Sequence, residues 1–525
     1  MDWHFPYPST RVPVLAANCV ATSQPLATQA GLAMLARGGS AVDAILAAAI
    51  TLTVVEPAMN GIGGDAFAIL ADGKGGLHGV NASGRSPAGW TPERFAGRTT
   101  MPMTGWDCVT VPGAVSAWVA LHGRFGRLPF AALFEPAIRY ARDGFLVTPA
   151  IAEMWQDQVE TLGGFVDWSR TFLVDGRAPR PGERFKCPDQ AATLALIAET
   201  RGEAFYRGAL ARKIAAAAGR DGGAMTLSDL AEHKPEWVTP IAVDYKGVRI
   251  HEIPPNGQGL AALIALGVLD RLDTDGLDID GPEFQHLAIE AIKLGLADAR
   301  AHVADPAALR FPVEELLTPA YLDSRARLVN RERASAPAPG KPREQSTVYL
   351  AAADENGMMV SYIQSNFRGF GSGIVVPGTG IALHNRGSGF VLEAGHPNQV
   401  GPRKRPLHTI LPAFATKDGA PLAAFGVMGG MMQPQGHVQV ATRLFGRGMN
   451  PQAAIDAPRW RVEKDDVMVE AAWPPAWRNS LAGRGHRLVD AGPLDVGASQ
   501  VIWRLADRGY VAASESRRDG QAAGF

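Results

Sequence analysis

One stretch limits what this chain can fold into more than any other: Ser346-Thr347-Val348-Tyr349-Leu350-Ala351-Ala352-Ala353, a turn of Asp354-Glu355-Asn356-Gly357, then Met358-Met359-Val360-Ser361-Tyr362-Ile363-Gln364-Ser365-Asn366. Two apolar runs around an Asn-Gly turn predict a β-hairpin, since Asn and Gly supply the backbone conformations a tight turn needs. Neither run alternates between apolar and polar residues, so both faces of the hairpin are expected to be covered. The stretch upstream, residues 331–345, is rich in Pro, Ala, Arg and Glu and reads as a solvated linker with no material for a core. A linker that ends at a Thr opening a buried strand is what an N-terminal nucleophile requires. Cleavage between Ser346 and Thr347 would place a free α-amine beside the Thr347 hydroxyl, giving base and nucleophile on one residue. Such an amine titrates near ~8 and can act as a base at neutral pH. An ordinary hairpin following a linker is the alternative reading of these residues.

The rest of the chain offers little competing chemistry. Its 525 residues, 46% of them hydrophobic, suffice for a large core, and length alone would allow several domains. A net charge of -1 gives no reason to expect nucleic acid or an anionic membrane as a partner. Cys19, Cys108 and Cys187 are few and far apart, which fits a reducing compartment better than a disulfide framework. The first residues carry no basic and apolar leader pattern, so a cytoplasmic location is expected. Pro25 to Arg37 and Ser40 to Val55 read as helices, the second apolar all round and therefore buried. Asn60-Gly61-Ile62-Gly63-Gly64-Asp65 reads as a tight turn before a strand. The order helix, glycines, strand is wrong for a phosphate cradle. Residues 111–330 read as mostly helical, and a further helix is expected from about Gly436 to Phe445.

Other hydrolytic schemes lack their residues. Ser372 and Ser388 are flanked by Gly, but not at the spacing of a nucleophile elbow. The chain has neither His-Glu-x-x-His nor paired Cys-x-x-Cys, so no metal and no cofactor are expected. Gly429-Gly430 is the one backbone feature suited to an oxyanion, because successive N–H groups without a Cβ can approach it closely; a plain turn is the alternative.

Thr347-Val348-Tyr349-Leu350 with Asp354-Glu355-Asn356-Gly357, then Gly369-Phe370-Gly371-Ser372-Gly373 and Pro377-Gly378-Thr379-Gly380, resembles the start of the small subunit of the γ-glutamyltranspeptidase family. Val54-Val55-Glu56-Pro57 with Gly61-Ile62-Gly63-Gly64 is similar to a signature of that family's large subunit, and the likeness runs nearly end to end. The resemblance implies one interwoven αββα sandwich of the N-terminal nucleophile hydrolase type, made of fragments 1–346 and 347–525 that remain associated. Further dimerisation is left open. It implies Thr347 as nucleophile after cleavage at Ser346/Thr347, Ser365 as a hydroxyl supporting it, and Gly429-Gly430 as the oxyanion pair.

The departures from the family bear on substrate. Where γ-glutamyl enzymes hold the substrate's ammonium with Leu-x-Asn-Gln/Glu-x-x-Asp-Phe, this chain has Leu383-His384-Asn385-Arg386-Gly387-Ser388-Gly389-Phe390. Arg386 thus stands for the Gln/Glu and Gly389 for the Asp, while Asn385 is kept. His408-Thr409 replace the paired serines that receive the α-carboxylate, and Ser83, with Arg85 nearby, falls where the carboxylate-clamping Arg would be. The covering loop, residues 391–402, is also shorter than in lidded members. A pocket that loses a carboxylate and gains a guanidinium favours an anion without an ammonium. The expected activity is hydrolysis of an amide of a small carboxylate, oxamate-like or dicarboxylic, through an acyl-enzyme. γ-Glutamyl hydrolysis or transfer is the alternative within the class. An uncleaved, non-catalytic binding protein is the alternative outside it.

Overall fold

A computed structural model describes residues 10–335, 346–492, 494–507 and 509–525 of the chain. Of the linker expected at 331–345, residues 336–345 therefore lie outside the described residues, as does the side chain of Ser346.

The hairpin forms as expected, with strand Ser346–Ala353 antiparallel to Met358–Phe367. Asp354 holds its turn: one carboxylate oxygen accepts from the N–H of Asn356 at 3.0 Å and of Met358 at 3.2 Å, and Gly357 takes φ of 89°. The other oxygen accepts from Ala41 N at 2.8 Å, so the turn also caps the helix Ala41–Val55. That helix opens on a reciprocal Ser40–Asp43 capping box and is buried along its whole length, as its apolar circumference requires.

Two seven-stranded antiparallel sheets make up the centre. In the first, the hairpin strands are central. Cys19–Thr22 and Gln521–Gly524 extend it on one side, and Asp65–Asp72, Leu77–Asn81 and Glu236–Val238 on the other. The second runs Val14–Ala16, Tyr510–Ser514, Ala498–Arg504, Ala420–Met428, Ala413–Lys417, Val248–Glu252, Ile241–Tyr245. Each sheet draws strands from both sides of the Ser346–Thr347 bond. The inner faces meet where the Tyr349 ring lies against Gly426, with Phe414, Ala424, Met428, Ala498 and Ile502 in the same core. Helices Pro25–Ala36, Ala41–Val55 and Ala114–Phe125 share a core with the first sheet. Helices Leu260–Arg271, Pro282–His302 and Met432–Arg447 pack with the second. The result is a four-layer αββα sandwich.

Two expectations need correction. The segment read as mostly helical contains the strands Glu236–Val238, Ile241–Tyr245 and Val248–Glu252. The last two close on Lys246-Gly247, both at positive φ (48° and 76°), the conformation that a two-residue hairpin turn demands. The helix expected from Gly436 begins at Met432, directly after the glycine pair.

No helix among the described residues is long and apolar enough to cross a membrane, and all three cysteines are buried and unpaired.

The contact between sheets is testable at Gly426, where a Cβ would stand 2.4 Å from the Tyr349 ring. Gly426→Ala is expected to lower stability by about 1–3 kcal/mol, since neither sheet can yield without disturbing the other. Chemical denaturation measures this, and an unchanged midpoint would contradict the packing described.

Candidate active site

Thr347 sits at a β-bulge. Ser346 pairs with Phe367 and Val348 with Gln364, so Ser365 and Asn366 together oppose the single Thr347. The bulge brings two hydroxyls of one sheet edge together: Thr347 Oγ1 donates to Ser365 Oγ at 3.3 Å, both fully buried. Gln433 Nε2 donates to Thr347 Oγ1 from the facing layer at 3.2 Å. Its Oε1 accepts from Leu411 N at 2.8 Å, which fixes the amide's orientation.

Gln433 lies in the first turn of the helix that follows Gly429-Gly430. Both glycines have positive φ (122° and 60°), which orients this turn in a way that side-chain-bearing residues resist. Their carbonyls are engaged: Gly429 O accepts from Met432 N, and Gly430 O from Gln258 Nε2 at 2.9 Å and from Gln433 N. Among the described residues neither N–H has a protein acceptor. Two N–H groups at the start of a sixteen-residue helix, tied through Gln433 to Thr347, form a favourable seat for negative charge. Beside Gly429 opens a cavity of about 800 Å³ whose lining includes Met59, Gln158, Arg368, Leu494 and Arg518.

Arg386 brings a charge to the hydroxyl pair. Its guanidinium is fully buried and donates to Ser365 Oγ at 3.2 Å and Thr409 Oγ1 at 2.8 Å. It stacks over the Phe367 ring at 4.2 Å, and its Nε has no partner. Burial pushes its pKa down to about 9, with Asp65 opposing. Asp65 faces Ser365 across the strand ladder and accepts from Gly84 N (3.2 Å), Gly113 N (3.0 Å) and His408 Nε2 (3.1 Å). Burial raises its pKa to about 7, against the pull of Arg386, the two backbone N–H groups and Arg405. His384 and His408 are driven down, and so held neutral, by burial and then by Arg386.

The remaining sequence-derived candidates divide. Thr409 and His408 join this cluster, but His408 spends its ring on Asp65 and on Ile410 N. Ser83 is buried beside it, donating to Asn81 Oδ1 at 2.7 Å and sharing contacts with Asn256. Asn385 braces the loop through Met103 O and Arg368 N. Gly389 abuts Leu407 O, where a Cβ would stand 2.5 Å away. Arg85 is partly exposed and turned to Asp305 (2.7 Å) and Glu236 (3.2 Å), so it is not brought to Thr347. Loop 391–402 folds back on itself, Val400 N bonding Val391 O, with Phe390 and Val400 packed among Trp90, Phe95 and Met101.

Asp65, His384 and Gln433 were missed as site residues. Asp65 carried a signal, a carboxylate opening an apolar strand directly after the glycine turn. Gln433 carried none beyond its place just after the glycine pair. Elsewhere His286, Glu290 and His486 bring possible metal-ligating atoms within 4.8 Å of one another. Lys293 at 2.7 Å and Ser335 occupy the Glu290 carboxylate and the two imidazoles bond each other at 2.8 Å, while the buried His486 Nδ1 is without a partner among the described residues.

A four-layer αββα core whose central strand opens on a buried Thr is the fold of N-terminal nucleophile hydrolases. The family model for gamma-glutamyltranspeptidase matches residues 27–525, and the chain belongs to that family. It is 36% identical to the glutathione hydrolase-like YwrD proenzyme of Bacillus subtilis, over 95% of this chain and 97% of that one. It is likewise 36% identical to the oxamate amidohydrolase proenzyme of Klebsiella pneumoniae, with coverage of 95% and 97%. The crystal structure of cephalosporin acylase from Bacillus halodurans superposes with a TM-score of 0.96 at 46% identity, covering 100% of this chain and 99% of that one. The chain is thus an enzyme, a hydrolase of the amidohydrolase and acylase kind within its family.

Gln433 gives a direct test of the site's geometry. Gln433→Leu strips Thr347 Oγ1 of a donor and leaves Leu411 N–H without its acceptor. It is expected to reduce kcat/KM by about 10- to 100-fold, of the order of one or two lost hydrogen bonds. Activity within twofold of the parent would show that this contact does not support the nucleophile.

Proposed function

We propose that this chain is a proenzyme that cleaves itself before Thr347 and then hydrolyses the amide of a short dicarboxylic acid, oxamate being the model substrate. In the first step Thr347 Oγ1 attacks the Ser346 carbonyl carbon, the C–N bond breaks, and water hydrolyses the resulting ester. Fragments 1–346 and 347–525 stay together because both contribute strands to each sheet.

In the mature enzyme the α-amine of Thr347 takes the hydroxyl proton as Oγ1 attacks the substrate carbonyl carbon. The N–H groups of Gly429 and Gly430 hold the tetrahedral oxyanion. Collapse expels the amine, which leaves with the proton held by the α-ammonium. Water, deprotonated by the same amine, then splits the acyl ester and frees the acid. The sequence of steps calls for no cofactor.

The observation that carries the substrate reading is the setting of Arg386. Among the described residues this buried guanidinium bonds only neutral oxygens and its Nε has no partner, which suits it to receive an anion. It and Thr347 Oγ1 bond the same Ser365 oxygen, at 3.2 Å and 3.3 Å. A carboxylate seated there is therefore close to the carbonyl under attack, which favours a short acid. The relative named as oxamate amidohydrolase supports an acyl group of this kind. A γ-glutamyl substrate would bring an ammonium to the same place. Gly389 offers it no carboxylate, and an unpaired buried charge costs about 3–5 kcal/mol.

Two outcomes are expected. The purified protein converts from one band to two on a denaturing gel, whereas Thr347→Ala remains a single chain; a mutant that still splits at this bond would end the self-cleavage reading. On matured enzyme, oxamate is hydrolysed faster than oxamide, and glutaryl anilide faster than γ-glutamyl anilide, each by at least about tenfold. Arg386→Ala removes both preferences. Efficient γ-glutamyl turnover that survives Arg386→Ala would return the chain to glutathione hydrolysis.

A further inference from the structure

Docking a carboxylate on Arg386 creates a second problem that the fold must solve. The pocket already contains one buried negative charge, Asp65, which flanks Ser365 from the neighbouring strand just as Arg386 flanks it from the loop. With Asp65 ionised and Arg386 charged, this buried cluster balances. A substrate carboxylate would leave it with an unbalanced charge, and like charges brought together in a buried site do not both stay ionised.

The groups facing Asp65 leave little choice about where a compensating proton can go. His408 lends its Nδ1 lone pair to Ile410 N–H at 3.4 Å and points Nε2–H at Asp65. His384 lends its Nδ1 to Arg386 N–H at 3.1 Å, with Nε2 turned toward Asp65 Oδ1 at 4.0 Å. A second proton on either ring would collide with a backbone N–H. His233, bonded to Ser116 Oγ at 2.9 Å, is held neutral by burial and by Arg405, its pKa about 3. Tyr206 is held in its neutral form by burial, its hydroxyl donating to Pro112 O. Arg405 is already ion-paired with Glu236 at 2.7 Å. Among the described side chains that face it, only the Asp65 carboxylate retains lone pairs able to accept a proton, and the Thr347 α-amine must stay free of one to act as base.

We propose that Asp65 is the charge-balancing residue of this site, taking up one proton from solvent as the substrate's carboxylate docks on Arg386. Preference for acidic substrates then depends on pH through Asp65. This rests on the acid-binding reading of Arg386. Asp65 acts through Arg386 and His408, as a positioning and specificity-determining residue that does not itself touch the reacting atoms. Burial has already lifted its pKa to about 7, so the proton is available at modest cost near neutrality. The sign follows. Below about pH 7 Asp65 carries its proton before the substrate arrives, and binding is independent of pH. Above it, each substrate molecule must recruit a proton, and preference for the anion falls about tenfold per pH unit.

The ratio of kcat/KM for oxamate to that for oxamide isolates the effect, because titration of the Thr347 amine affects both substrates and cancels. Glutaryl anilide against butyryl anilide serves the same purpose. The ratio is expected to stay level below about pH 7 and to drop about tenfold per unit between pH 7 and 8.5, with Asp65→Asn levelling it throughout. A level ratio in the parent enzyme, or a slope that persists in Asp65→Asn, would overturn the proposal. If Asp65→Asn does not fold, difference infrared spectroscopy of the parent decides. Binding of oxalate at pH 8 must then produce a protonated-carboxyl band, and its absence overturns the proposal. Turnover of both substrates with no preference for the acid at any pH would overturn the acid-binding reading and this one with it. A preference insensitive to pH would remove this one alone.

Discussion

Pairing of Ser346–Ala353 with Met358–Phe367 is the contact on which the molecule depends. The two strands are central in their sheet, sealed by a helix on one face and by the second sheet on the other, so neither can shift register without expelling a core residue. At the end of this rigid ladder one residue is out of step. The bulge at Thr347 turns its hydroxyl toward Ser365 and toward the helix of the second layer. The placement of Thr347 thus derives from the core, while its contacts with the facing layer derive from the interruption of the ladder. The glycine pair is placed by the same logic, because Ala420–Met428 ends beside the nucleophile strand and its chain turns there into a helix.

The electrostatics follow from burial. Asp65, His384, Arg386 and His408 are all fully buried within a few residues of the nucleophile, and no pair of them forms a direct carboxylate–guanidinium bridge. Such a bridge would satisfy both charges and leave nothing for a ligand. Here the carboxylate accepts from two backbone N–H groups and an imidazole, while the guanidinium is held by two hydroxyls and an aromatic face. Opposite charges held close but unbonded keep the guanidinium available while limiting the cost of its burial.

Much of this was legible in the residues because local chemistry dictated it. The Asp-Glu-Asn-Gly turn, the Ser40 cap and the wholly apolar helix behind it each carry their structure in a few neighbouring residues. The glycine pair before the helix reads by itself as a turn, and only the resemblance to the family singled it out. The strands from Glu236 to Glu252 were hidden by the helical stretches around them, although the Lys246-Gly247 turn marked their hairpin. Asp65 carried only a weak signal and Gln433 none, because their contacts exist only in what faces them. One acts across a strand ladder and the other across a layer, and neither spacing is recorded in the order of residues. Arg85 shows the converse: proximity in sequence to a matching position did not bring its guanidinium to the site, since Asp305 and Glu236 hold it elsewhere.

These contacts also tie to one another the residues that depart from the family pattern. A Gln or Glu in place of Arg386 would leave Thr409 Oγ1 and Ser365 Oγ without a cationic donor and, if acidic, would set a second carboxylate near Asp65. An Asp in place of Gly389 would need room where Leu407 O already lies within 2.5 Å of any Cβ. A serine in place of His408 would withdraw the imidazole donor from Asp65 and leave that buried oxygen unpaired, a loss of about 1–3 kcal/mol. Each residue is therefore acceptable only in the company of the others. Arg386 needs a nearby negative charge, Asp65 needs donors that are not themselves cations, and His408 supplies one because the backbone of Ile410 fixes it as neutral. The contacts of this cluster belong to the set as a whole, which is why a single matching position in the sequence predicts so little of it.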